Sequence, residues 1–127
     1  MPRCSAAGSF TLVNGQWRAI ELTRVGRWMS QAEHDEMVRT GRIQESAGNQ
    51  THVTMPSDPD AFQAYERGSI FVEFDVPSHS LMRTGHKWGV VMGPEHRQNL
   101  LNIRRGLPGL TEPAPVWNIR IRMGGGN

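Results

Sequence analysis

The sequence predicts an α+β domain with a mixed, mostly antiparallel β core and short helices. Several segments alternate apolar and polar residues with a period of two, which is typical of strands. Residues that start and end helices stand between these segments, so short helices separate the strands. The order of the predicted elements follows no repeating strand–helix–strand unit, which favours an α+β fold over a parallel α/β fold. At 127 residues the chain has the length of one domain.

The first predicted strand covers Glu21–Trp28, and a helix begins directly after it, over about 31–40. Ser30 stands at the N-cap of this helix, and Glu33 follows at the position that completes a capping box. Helix capping alone therefore accounts for both residues. Gly41 stands where a glycine commonly ends a helix.

The middle of the chain predicts a loop, a strand and a second helix. Gln44–Gln50 is polar and is predicted as a loop, and Thr51–Met55 is predicted as a short strand. Ser57–Pro59 then combines N-cap residues with a proline suited to the first helical turn, which predicts a short helix over about 59–66.

The clearest strand is predicted at Ser69–Val76, where apolar positions alternate with Phe71, Glu73 and Asp75 until Pro77 ends the strand. For Glu73 and Asp75, exposure to solvent on one face of the strand is the simpler interpretation.

The last third of the chain predicts a weaker strand at Lys87–Met92 and then a third helix. Pro94 is predicted at the first position of that helix, which runs to about Arg105. A proline-rich loop, Gly106–Pro115, leads to a final strand at Val116–Arg122. In this strand Ile119 and Ile121 are expected to face inward, and Asn118, Arg120 and Arg122 outward.

The two ends are predicted to lie outside the domain, which covers residues 20–123. Residues 1–19 are expected to form a linker or a marginal hairpin with a turn at Asn14–Gly15, and residues 124–127 a flexible tail.

Composition excludes several classes of protein. No run of about 18 apolar residues exists, and the N-terminus lacks an apolar signal segment, so neither a membrane span nor a secretory signal is expected. Cys4 is the only cysteine, which excludes an internal disulfide or a thiolate metal site. The five histidines lack ligand spacing, so no metal is expected. A net charge of +2 does not by itself indicate binding to nucleic acid.

Two arginines on the first strand are candidate contacts for a phosphate group. Arg24 and Arg27 carry planar guanidinium groups that suit bidentate contacts with phosphate oxygens, and Gly26 between them allows close approach of a ligand. The alternative for each arginine is an ordinary ion pair with a surface carboxylate.

Other candidates stand further along the chain. Thr54 is a candidate hydroxyl for the wall of a site, and His52 for a contact with ribose; an ordinary strand with an exposed histidine is the alternative. Glu112, before the last strand, is the candidate catalytic carboxylate, and Glu73 competes with it. Either can be an ordinary solvated side chain. The candidate rings for stacking on a planar ligand are Trp28, Trp88, Trp117, Phe71 and Tyr65.

Four segments together resemble the TreTu-type toxin domain, found at the C-termini of bacterial Rhs and other polymorphic toxins. These are Arg27–Glu33, Thr40–Ile43, Thr51–Thr54 and Ile70–Pro77. The resemblance covers about 22–121. It implies an ADP-ribosyltransferase-like fold with a strand arginine, a central strand bearing hydroxyl groups and a late glutamate.

The resemblance also implies roles for the candidate residues. Arg27 or Arg24 would contact NAD, which is a substrate here. Thr54 and its neighbours, His52 among them, would line the nicotinamide site with Trp28 as a stacking ring. Glu112 would be the catalytic glutamate. Because nicotinamide is a good leaving group, such a site needs mainly a carboxylate that stabilises the oxocarbenium-like transition state.

The expected function is therefore a mono-ADP-ribosyltransferase toxin domain that transfers ADP-ribose from NAD to a macromolecule, with protein favoured over nucleic acid. The alternatives are an NAD glycohydrolase toxin and a non-catalytic binding module. The resemblance implies secretion within a larger toxin, action in the cytoplasm of a target cell and a cognate immunity protein. A monomer without membrane contact is expected.

Overall fold

A six-stranded antiparallel sheet forms the centre of the computed structural model, which describes residues 10–13, 16–19, 21–44, 49–61 and 67–124. Its strands are β3 (Leu22–Met29), β4 (Gln50–Thr54), β5 (Ile70–Pro77), β6 (Leu81–Arg83), β7 (Trp88–Met92) and β8 (Trp117–Gly124). Their order across the sheet is β6-β7-β4-β3-β5-β8.

Two helices and a separate hairpin complete the described architecture. The helices are α1 (Gln31–Thr40) and α2 (Arg97–Arg104). Strands β1 (Phe10–Val13) and β2 (Gln16–Ala19) pair antiparallel with each other, and the turn predicted at Asn14–Gly15 lies outside the described residues. The α+β class predicted from the sequence is confirmed, and every strand pair described is antiparallel.

The hydrophobic core lies on one face of the sheet, which we call the core face. Alternate residues of the central strands point to this face, since side chains of a strand alternate between its two sides. Helix α1 packs on it through the buried Met37, and the segment before β8 contributes Leu110, Ala114 and Val116. The strand residues of this core are Val25, Met29, Val53, Val72, Phe74, Val76 and Val91.

Helix α1 begins and ends where the sequence predicted. The Ser30 hydroxyl accepts a hydrogen bond from the Glu33 backbone N–H at 3.0 Å. Gly41 ends the helix in the left-handed conformation, with φ +70°, and its N–H donates to the Met37 carbonyl. A residue without Cβ adopts this conformation at low cost, which is why glycine is common there.

Helix α2 starts three residues later than the sequence predicted. Pro94 lies in a turn closed by a hydrogen bond from the His96 N–H to the Gly93 carbonyl. His96 is the N-cap instead, and its ring nitrogen accepts from the Gln98 N–H at 3.1 Å. The prediction from Pro94 was wrong because a proline suits the second residue of a β-turn as well as the first residue of a helix.

Three further features differ from the prediction or are described only in part. Strand β6 was missed, because three residues are too short for a pattern to show. Of the helix predicted over 59–66, a short 3-10 helix at Pro59–Ala61 is described, and the remainder is not. Ile121 lies opposite Val72 and therefore on the core face as predicted, but it is 44% exposed because β8 is an edge strand.

Asn99 joins α2 to the segment before β8. Its side chain is fully buried, donates to the carbonyls of Pro94 and Leu110, and accepts from the Leu110 N–H at 2.8 Å. The same segment then runs beside the end of α1, where the Ile43 N–H donates to the Ala114 carbonyl. The predicted proline-rich loop is thus held by hydrogen bonds on both sides.

Candidate functional site

A cleft of about 350 Å³ opens between β3, β4 and β7. Its lining residues are Gly26, Arg27, Trp28, His52, Val53, Thr54 and Trp88. This volume falls within the range of small-molecule sites. Four of the five predicted binding residues, Arg27, Trp28, His52 and Thr54, therefore meet at one place.

Strand register explains why these residues converge. Gly26 and Trp28 are two positions apart on β3 and share a face. Thr54 of β4 lies opposite Gly26, and Trp88 of β7 lies opposite Thr54. Residues directly opposite on paired strands share a face, so these side chains lie on one side of the sheet. We call this side, opposite to the core, the cleft face.

Trp28 forms a fixed wall of the cleft. Its indole N–H donates to the Pro59 carbonyl at 3.0 Å. Its ring packs at a tilt on Phe71, with 5.3 Å between the ring centroids. Phe71 is fully buried and lies against Gly26, where a Cβ would stand only 2.2 Å from the Phe71 ring. Glycine at position 26 therefore lets the ring sit directly on the strand.

Thr54 and His52 differ in what they offer a ligand. The Thr54 hydroxyl donates to the Gly26 carbonyl at 3.3 Å and accepts from the Asp58 N–H at 3.2 Å. It is 3% exposed, so its structural role is to join β3 to the segment after β4. His52 is exposed, and its side chain is available at the cleft.

Arg27 is bound by Glu33 of helix α1. Its Nε and Nη2 donate to the two carboxylate oxygens of Glu33 at 2.7 and 3.3 Å, and its Nη1 donates to the His52 carbonyl at 2.9 Å. Both side chains are about four-fifths buried. The interpretation that capping alone accounts for Glu33 was incomplete, because its carboxylate forms a bidentate pair with the arginine.

Arg24 lies on the cleft face, three positions from Arg27 and therefore on the other side of β3. Its Nη1 donates to Asp75 at 3.1 Å and to the Asn118 carbonyl at 3.0 Å. Its Nη2 lies 3.7 Å from Glu73 Oε1, and the side chain is 37% exposed. Arg24 therefore reaches solvent on the face that carries the cleft.

Glu73 is the centre of a hydrogen-bonded cluster on the cleft face. It lies opposite Gly26 on β5, and its Oε2 accepts from the Ser57 hydroxyl at 2.7 Å and from Arg122 at 2.9 Å. Burial raises its pKa, but the Ser57 and Arg122 hydrogen bonds and the charges of Arg122 and Arg24 outweigh it. The pKa of Glu73 is therefore below its ordinary value of 4.5.

The simpler interpretation of Glu73 and Asp75, as a solvent-facing pair, was wrong. Each side chain is only 12% exposed. Strand β5 lies inside the sheet between β3 and β8, and Arg24 covers both carboxylates. The positive charge of the neighbouring arginines compensates for the cost of burying two carboxylates on one strand face.

Glu112 lies away from this cluster. It pairs with Arg42 at 3.0 Å, and its side chain is 66% exposed. Arg42 also donates to the Pro113 carbonyl, so the pair holds the segment before β8 beside the end of α1. None of the contacts described brings Glu112 to a cleft residue. Its catalytic role stays a prediction, as do the roles in NAD binding.

Ser57 and Arg122 are site residues that the sequence did not single out. Ser57 was predicted as part of a helix cap, but its hydroxyl reaches Glu73, 16 positions away. Arg122 was expected to face outward, and it is half-exposed while its guanidinium still pairs with Glu73. The sequence feature that could have indicated this cluster was Glu73, an acidic residue that alternates with large apolar residues along a strand.

The remaining aromatic candidates take different places. Trp88 lines the cleft and is 37% exposed. Trp117 lies opposite Asp75 on β8, and Tyr65 lies outside the described residues.

No three His, Cys, Asp or Glu side chains group as metal ligands in the described ranges. Neither described helix has the length and hydrophobicity needed to cross a bilayer.

Comparison with protein families gives one finding. The family model described as TreTu toxin, C-terminal domain, matches residues 22–120, which include the sheet, the cleft and the Glu73 cluster. The matched region starts at the first residue of β3 and ends within β8. No curated protein matches the chain.

Proposed function

The chain belongs to the TreTu toxin C-terminal domain family, and we propose that this toxin domain is a mono-ADP-ribosyltransferase that uses NAD. The observation that carries the proposal is an ionised and largely buried carboxylate, Glu73, on the same sheet face as a cleft flanked by two indole rings. NAD glycoside chemistry requires these two features, a slot for a flat ring and an anion beside it.

The cleft suits the nicotinamide ring. Trp28 is fixed by Pro59 and Phe71, so one wall is rigid before the ligand arrives. Trp88 stands across from it on β7. Stacking a planar ring between such walls releases water and needs little rearrangement, which lowers the cost of binding.

Glu73 is the carboxylate that the geometry favours, with Glu112 as the alternative. Its depressed pKa keeps it charged at neutral pH, as required to stabilise an oxocarbenium-like transition state. Its Oε2 is occupied by Ser57 and Arg122, while Oε1 receives no hydrogen bond within 3.5 Å from the described residues. Oε1 is therefore available to accept a ribose hydroxyl.

Arg24 is the better supported of the two arginines for contact with the diphosphate of NAD. It lies on the cleft face and is 37% exposed. Arg27 also lines the cleft, but its side chain is about four-fifths buried and Glu33 already occupies its guanidinium in a bidentate pair. In this proposal Arg27 is a positioning residue that fixes α1 to β3 and to β4.

The proposal includes an ADP-ribosyltransferase-like fold and delivery as part of a larger secreted toxin into a target cell. The proposed fold is supported by a sheet that has its cleft on one face and its hydrophobic core on the other. An immunity protein that covers the cleft is the expected partner.

The proposal is tested by incubating the protein with NAD labelled in the adenylate half, with and without an extract of bacterial cells. Label bound to protein supports the transferase. Release of free ADP-ribose alone supports an NAD glycohydrolase, and intact NAD supports a non-catalytic binding module.

Matched variants separate the two carboxylates. Glu73→Gln is expected to lower the rate of NAD cleavage by about 10²–10³-fold, the usual effect of removing one group that stabilises transition-state charge. Glu112→Gln is expected to leave the rate near wild type. The reverse result would assign the reaction to Glu112.

A further inference from the structure

The outer face of α2 carries an exposed apolar stripe. Leu100, Ile103 and Leu107 are 45%, 43% and 52% exposed. The first two are three positions apart on the helix and adjoin on one side of it, and Leu107 follows three positions past its end. Scattered exposed apolar residues are ordinary, but these three follow one another closely along α2 and the segment directly after it. We call these three residues the α2 stripe.

Arginines without a carboxylate partner border the α2 stripe. Arg97, Arg104 and Arg105 are all exposed. Among the described residues no ion pair or side-chain hydrogen bond engages their guanidinium groups. Arg24, Arg27, Arg39, Arg42 and Arg122 each pair with an acid, whereas Arg67, Arg83 and Arg120 form no ion pair with the described residues. The positive charge of this surface is therefore available to a partner.

We infer that the α2 stripe and its arginines bind an acidic, partly apolar surface of the protein that accepts ADP-ribose. The inference rests on the proposed function and extends it from the reaction to the choice of acceptor. Leucine and isoleucine side chains surrounded by arginine match the composition of protein interfaces, where apolar residues lie at the centre and charged groups at the rim. The opposite charge of the partner gives complementarity and fast association.

The location of the α2 stripe favours the acceptor protein as its partner over an inhibitor that blocks the cleft. The α2 stripe shares no residue with the cleft, and Asn99 anchors α2 to Leu110 of the core. An acceptor bound there leaves the cleft open for NAD. The three apolar side chains favour a protein over nucleic acid, whose complexes are more polar.

Two sets of variants test the inference. Leu100→Gln/Ile103→Gln removes the apolar centre but keeps good helix formers, and Arg97→Gln/Arg104→Gln/Arg105→Gln removes the charge. Val38→Gln on α1, where the valine is 54% exposed, and Arg67→Gln, also exposed, are the matched controls. Two rates are measured for each variant: cleavage of labelled NAD in buffer, and incorporation of label into protein in a dilute bacterial extract.

Both stripe variants are expected to cleave NAD in buffer at the wild-type rate and to label protein at least tenfold more slowly. The controls are expected to match wild type in both assays. If the stripe variants label protein at the wild-type rate, or if the label is found on nucleic acid, the inference is overturned. Neither result would contradict the proposed reaction with NAD. Failure of the wild-type protein to cleave NAD would instead overturn the proposed function and this inference together.

Discussion

Gly26 is the residue at which β3 comes closest to the buried ring beneath the cleft. A Cβ at this position would lie 2.2 Å from Phe71 Cζ and 2.8 Å from the Ser57 hydroxyl. The first contact is with a buried ring and the second with the group that binds Glu73. One methyl group would therefore disturb both the packing and the carboxylate cluster.

Gly26→Ala is expected to lower the free energy of unfolding by about 1–3 kcal/mol, because overpacking forces buried groups to shift. Denaturant unfolding followed by tryptophan fluorescence measures the change. Phe71→Leu introduced with it makes room, so the double variant should lose less than the sum of the two single losses. If the two losses in free energy of unfolding are strictly additive, the Phe71 ring is not what prevents a larger residue at position 26.

Glu73 should make the stability of the protein depend on pH. Its pKa in the folded state lies below the ordinary value of 4.5, so its stabilising contribution is fully present above that pH. The contribution is lost as pH falls through the folded-state pKa. The difference in free energy of unfolding between wild type and Glu73→Gln should therefore be larger at pH 7 than at pH 3. A difference that does not change with pH would contradict the assignment.

The pair between Arg27 and Glu33 joins helix α1 to the sheet. Because both side chains are about four-fifths buried, Glu33→Gln is expected to lower the free energy of unfolding by about 1–2 kcal/mol. Glu36→Gln, on the same helix, breaks an exposed pair with Arg39 and should cost less than about 0.5 kcal/mol. Equal losses in thermal or denaturant unfolding would show that burial does not strengthen the first pair.

Asn99 joins helix α2 to the segment before β8. Asn99→Ala leaves the buried N–H and carbonyl of Leu110 without a partner and is expected to cost about 2–4 kcal/mol. Asn102→Ala on the same helix is the control, since that side chain is only half-buried and accepts from Gln98. Hydrogen exchange at the Leu110 amide should rise in the first variant and stay unchanged in the second.

Elements with local signals were predictable from the sequence, and elements held by distant contacts were not. Helix α1 has its signals within one turn of each end, at Ser30 and Gly41. Strand β5 was predicted within one residue of its bounds, from alternation alone. The start of α2 depends on a turn at Gly93 and on Asn99 reaching Leu110, which no local pattern shows.

The site was predictable only in part for the same reason. Trp28, His52 and Thr54 were singled out along the chain, and the pairing of β3 with β4 brings them to one cleft. The partners of the charged residues depend on sheet order, which the sequence did not reveal. Arg122 meets Glu73 only because β8 pairs with β5 at the edge of the sheet.

Binding of NAD should stabilise the whole molecule, since only the folded state has the cleft. A ligand at 100 times its Kd adds about 2.7 kcal/mol to the free energy of unfolding, so NAD is expected to raise the Tm of the wild-type protein. Trp88→Ala should remove most of that rise by opening one wall of the cleft. A Tm that does not respond to NAD at any concentration would contradict binding.

The order of strands also determines when the cluster around Glu73 is completed during folding. Gly26 pairs with Glu73, and Glu73 pairs with Arg120, each across 47 positions of the chain. Contacts this distant form slowly, in milliseconds to seconds for sheet proteins, whereas an isolated helix forms within about a microsecond. The ion pair between Arg122 and Glu73 is therefore expected to form late in folding, only after β8 has paired with β5.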